Sequence, residues 1–189
     1  MKKLLLPLLA IAVLITACVP SLHPLYTAET IIFREELIGI WKEEPQKDDS
    51  WTFSKGEKDT YNLTIHEDKE SSILEARLVK LGEHLFLDCS PSDEPIEKAK
   101  LGSFYRAALV PGHLIMKVKL GEKLELQLME HDKLGELLKK NPKALGHTVV
   151  ENERLVLTAP TADLQAFFKK HADSKELWGE PGVMQKLVL

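Results

Sequence analysis

Cysteine is scarce in this chain of 189 residues: Cys18 and Cys89 are the whole complement. Seven histidines are scattered, and no two stand three or four residues apart, the step at which a helix presents a pair to one metal ion. With no cysteine to join them, no metal site is expected. No Gly-rich loop is present to cradle a phosphate, and Gly56, Gly102 and Gly121 are isolated turn residues. No Gly-x-Ser-x-Gly elbow presents a nucleophile, and Ser103 has no base that sequence places beside it. No residue is therefore nominated as catalytic, and no cofactor is implied. Positive charge is not in excess. Twenty-five Lys and Arg against 29 Asp and Glu give a formal net charge of −4. That balance argues against nucleic acid or an anionic membrane face as the main partner. No internal repeat or low-complexity tract interrupts the chain. Its longest apolar run, Leu4 to Ala17, is about 14 residues, whereas a bilayer span takes about 20.

What is present begins with that run. Lys2 and Lys3 precede it, and small residues stand before Cys18. This is the three-part layout of a secretory signal. The segment Ile15-Thr16-Ala17-Cys18 resembles the lipobox of bacterial lipoproteins. The resemblance implies that residues 1–17 are removed and that Cys18 carries a diacylglycerol and an N-linked acyl chain such as palmitate. Ile15, Thr16 and Ala17 are then the signal-peptidase recognition residues. Two or more acyl chains hold a protein stably on a membrane where one does so only marginally. Val19, not Asp, occupies the second position of the mature chain, a pattern similar to outer-membrane sorting if the source is Gram-negative. The implied location is the cell envelope, lipid-anchored at a membrane, and for a Gram-negative source the outer membrane facing the periplasm. The mature chain of 172 residues would carry −6, and Cys89 would have no internal disulfide partner. Cys89 lies in an apolar stretch, Leu85 to Cys89, and is expected as a buried thiol.

Residues 18–34 read as anchor and tether, and residues 35–189 as one domain, a length sufficient for a sizeable core. Pro20 and Pro24 bar a helix in the tether, and the apolar residues of Ser21 to Thr27 predict that part of it docks on the domain. From Ser50 onward, period-two alternation recurs: Trp51 and Phe53; Tyr61, Leu63 and Ile65; Leu74, Ala76 and Leu78. It resumes in Leu114 to Leu120 and in Leu124 to Leu128, joined by Gly121-Glu122 as the clearest hairpin. Phe104 to Val110 and Arg154 to Thr158 are also read as strands. Two helices are expected: Asp132 to Asn141 with Asp132 as cap, and one after Pro160 capped by Thr161. The tail is expected to be irregular, with Trp178 docking. The fold class is therefore mainly β: an antiparallel up-and-down barrel or strongly curved sheet of eight or nine strands with two short helices.

Gly39-Ile40-Trp41 resembles the Gly-x-Trp entry to the first strand of lipocalins, where the glycine permits close packing and the tryptophan plugs one barrel end. By that resemblance an arginine, Arg106 or Arg154, would brace Trp41; otherwise Arg77 and Arg106 are expected in solvent. The segments Ser21 to Thr27, Leu37 to Trp41 and Leu157 to Gln165 are together similar to a group of bacterial lipoproteins to which no activity is attached. Two functions follow as expectations. One is a membrane-anchored binding module for an apolar small molecule or an envelope protein. The other is an accessory subunit of an envelope assembly with a filled, ligand-free barrel. An enzyme is not expected.

Overall fold

A computed structural model describes residues 18–68, 70–93 and 101–187. Eight antiparallel strands close into a barrel. They are β3 (Gly39–Lys42), β4 (Ser50–Lys55), β5 (Tyr61–Glu67), β6 (Glu70–Leu81), β7 (His84–Pro91), β8 (His113–Leu120), β9 (Lys123–Leu128) and β12 (Gly182–Lys186). Each pairs with the next, and β12 lies between β9 and β3, with Val183 opposite Glu125 and Lys186 opposite Trp41. Closure leaves none of these eight strands with a fully open edge.

Outside the barrel, β8 splits its partner. Its later residues pair with β9, while Leu114 and His113 pair with Pro20 and Ser21 of the two-residue β1 (Pro20–Ser21). From there the sheet runs outward through β11 (Arg154–Leu157), parallel to β1, to β10 (His147–Val150) at its edge. A further two-residue strand, β2 (Ile31–Ile32), pairs with β6. Among the described residues there are also three α-helices: α1 (Ser103–Ala108), α2 (His131–Lys140) and α3 (Thr161–His171).

Two hydrophobic cores share one wall. Inside the barrel lie Trp41, Phe53, Tyr61, Leu63, Ala76, Leu78, Leu87, Cys89, Met116, Val118 and Leu124. On the outer face of β6–β8 lies a second core, where Val79, Phe86 and Ile115 meet Leu134 and Leu138 of α2, Leu164 and Phe168 of α3, and Trp178. The rings of Phe86, Phe168 and Trp178 lie 5.7 to 5.9 Å apart, in edge or tilted contact. Strands covered on both faces need apolar residues at consecutive positions, and Leu78-Val79, Phe86-Leu87 and Ile115-Met116 supply them.

Several expectations are corrected. Phe104 to Val110 is not a strand. Its first part is α1, where Ala107 and Ala108 favour helix, and the barrel closes without it. Asp132 lies in the first turn of α2 rather than capping it, and α3 begins after Pro160 with the Thr161 hydroxyl turned to another partner. Among the described residues there are three α-helices where two were expected. The tail is not irregular throughout, because β12 is the strand that closes the barrel; Trp178 does dock as expected.

Candidate functional site

The strand β7 carries Phe86 and Asp88 on its outer face and Leu87 and Cys89 on its inner one. Asp88 is 1% exposed, a position where a carboxylate survives only if its oxygens are occupied. Both are. Oδ2 accepts the Leu25 amide at 2.6 Å, and Oδ1 lies 2.7 Å from Nδ1 of His113. His113 reaches it diagonally, since Asp88 faces Ile115 across β7–β8. Arg77 stands opposite Asp88 on β6, pairs with Glu75 at 2.5 Å, and lies 4.4 Å from the centre of the Tyr26 ring. Arg77 is thus not in open solvent as expected; Tyr26 covers it. Tyr26 also meets His113 edge-on at 6.1 Å. Burial pushes the Tyr26 hydroxyl pKa up, with Arg77 opposing that rise.

An Asp–His pair is two-thirds of a hydrolytic triad. A nucleophile would have to come from nearby, and the two adjacent candidates are engaged elsewhere. The Ser21 hydroxyl is buried and donates to the His23 carbonyl at 2.7 Å. Cys89 points into the barrel, and burial, with Asp88 beside it, holds its thiol pKa well above the ordinary value. What the cluster does in this geometry is fasten the N-terminal segment. Asp88 takes the Leu25 N–H, Gln165 donates to the Leu25 carbonyl at 2.8 Å, and Thr161 donates to the Pro24 carbonyl at 2.8 Å. Leu25 itself is fully buried.

That fastening places Cys18. It precedes β1 by one residue and is half-buried. Because β1 and β11 run parallel with Ser21 opposite Leu157, Cys18 falls level with Arg154. Burial raises the Cys18 thiol pKa, and Arg154 draws it back down. Ile15, Thr16 and Ala17 lie outside the described residues.

Gly39 adopts φ +137°, a conformation that side chains with a Cβ rarely take, and its open side admits the Lys186 stem. Trp41 is buried in the barrel core and donates from Nε1 to the Leu37 carbonyl at 2.9 Å. The cation beside it is Lys186, 5.4 Å from the ring centre, and neither Arg106 nor Arg154. Those two are exposed on α1 and β11.

A groove of about 440 Å³ opens outside the barrel between β8–β9 and the loop after α3. Its polar groups stitch that loop down: Lys117 donates to the Ala172 carbonyl and Gln127 to that of Gly179. Among the described residues, no group of three or more His, Cys, Asp and Glu is arranged to hold a metal ion. Among them also, no helix is long and apolar enough to cross a membrane. Compared with protein-family models, characterised proteins and solved structures, the chain matches none.

Sequence reasoning missed the Asp88–His113 pair. The available signal was an acidic residue inside the apolar stretch Leu85 to Cys89, on the same face as Phe86. A charge at such a position signals a buried partner.

Proposed function

We propose that this chain is a lipid-anchored protein of a bacterial cell envelope, and that its barrel is a solid docking module for a protein partner rather than a hollow carrier. The observation that carries the second half is the barrel interior. A side chain lining a void would expose surface to it, and Tyr61, Leu63, Ala76, Leu78, Leu87 and Cys89 expose none. Small barrels are commonly filled by their own side chains. The first half rests on the lipobox-like Ile15 to Cys18 and on a docked segment that keeps the barrel within a few residues of the acylated position.

Crosslinking in intact membranes, with and without Cys18→Ser, tests both halves. The expected result is a membrane-bound wild type crosslinked to a larger protein, and a Cys18→Ser variant that is soluble and folded. A variant that stays on the membrane refutes the anchor. Recovery of the monomer alone refutes docking on a partner. Saturable displacement of a fluorescent fatty acid would favour the carrier reading instead.

A further inference from the structure

Beside Cys18, the sheet ends in an apolar edge. Val149 and Val150 of β10 are 59% and 45% exposed, although they are neighbours in a strand and point to opposite faces. Val150 pairs with Arg154, and Arg154 is level with Cys18 across the parallel β1–β11 pair. Val150 therefore stands two strand spacings, about 10 Å, from Cys18 in the same sheet. An isolated exposed valine is ordinary. Two adjacent ones on the outermost strand, at the level of the anchoring residue, are placed differently. β10 also lacks the lysine or proline that guards many edges.

We infer that the β10–β11 hairpin is a second membrane contact, with Val149 and Val150 resting in the headgroup–acyl boundary beside the acyl chains of Cys18. The inference rests on the acylation of Cys18 proposed above. The position of the chain singles out lipid as the occupant. Only Val19 separates Cys18 from β1, and β1 is bonded to both β8 and β11, so acyl chains at Cys18 bring the β10 edge to the bilayer surface. Apolar side chains at that boundary add binding in proportion to the area they bury. Arg154 suits lipid phosphate, but Glu151 and Glu153 flank it at the hairpin tip. The contact should therefore be apolar in character and need no anionic lipid. A two-point contact, acyl chains and hairpin, would fix how the barrel is turned on the membrane, which acyl chains alone leave free.

The test uses the full, acylated chain in phosphatidylcholine vesicles, with Val150→Cys carrying a fluorescent label and spin-labelled lipid as quencher. Cys89 is buried and the Cys18 thiol is consumed by the lipid. A second protein carries the label at Glu57, in the exposed β4–β5 turn, four strands round the barrel from β1. Quenching at residue 150 should exceed that at 57 by about twofold or more, because a group about 5–10 Å into the boundary meets the quencher directly. Equal quenching at both sites, with mass spectrometry showing Cys18 acylated, overturns the hairpin contact and leaves the anchor standing. A chain recovered without acyl groups removes the anchor and this inference together. Quenching at 150 only when phosphatidylglycerol is added would assign the contact to Arg154 and also overturn it.

Discussion

Asp88 occupies a place in the outer core that an apolar side chain would otherwise fill, and its two oxygens serve different masters: the Leu25 amide and the His113 ring. Removing the carboxylate leaves the buried Leu25 N–H and the partly buried His113 imidazole without their acceptor, the first of them costly in a dry setting. Asp88→Ala is expected to lower stability by about 3 kcal/mol, measured by urea unfolding, and to speed exchange at the Leu25 amide beyond that global change. At the far end of α3, His171 packs on Phe167 with ring centres 4.5 Å apart, and burial lowers its pKa below 6.5, with Lys170 adding to the effect. The unfolded chain then binds this proton more readily than the folded one. His171's contribution is full above pH 6.5 and is lost as pH falls through its lower, folded value. Acidifying from pH 7.5 to 5 should reduce the urea midpoint more in the wild type than in His171→Gln; equal reductions would assign the acid sensitivity to other groups.

At the scale of elements, the strands that alternate plainly are those with a single buried face or a regular turn, such as β4, β5 and the β8–β9 hairpin. β4 and β5 were legible because period two survives when one side of a strand meets water, and the β8–β9 hairpin because Gly121-Glu122 marks its turn. The strand β12 was not. Of its five residues only Met184 is buried, so no alternation was available to read. The same holds for β10, none of whose residues is buried. For Phe104 to Val110, aromatic and apolar content suggested a strand, yet Phe104 is 93% exposed, and Leu109 and Val110 are exposed too. Composition without a partner misled there. β12 nevertheless decides the architecture, since among the described residues it bridges β9 to β3. A chain ending at Pro181 should expose both of those edges and bare Trp41 and Leu124. Its expected behaviour is aggregation at micromolar concentration, read by gel filtration. A monomer with native amide protection in β3 would show that closure matters less than the topology implies.

Over the whole molecule, a barrel of eight or nine strands around one core was expected from turns and alternation, although its closing strand β12 was not among those read and Phe104 to Val110 was counted in its place; the second core was not expected at all. Residues that face outward from a barrel are expected to be polar. Here the outward-facing Val79, Phe86 and Ile115 instead receive α2, α3 and Trp178. Nothing in a single strand says what will cover its other side; only the run of consecutive apolar residues hints at it. The surroundings of Cys18 were not legible either. Arg154 and Val150, more than 130 positions from Cys18 in sequence, are brought to its level through β1, and no local motif points to that placement.

The insertion of β1 between β8 and β11 also sets a schedule. Pro20 and Ser21 are made first, yet Ser21 must wait for Leu157 before its second neighbour exists, and the barrel stays open until Lys186 can reach Trp41. Pairings so distant along the chain form slowly, because loop closure precedes the contacts that reward it. A polypeptide delivered N-terminus first would thus remain unfinished, and threadable, until Lys186 had arrived.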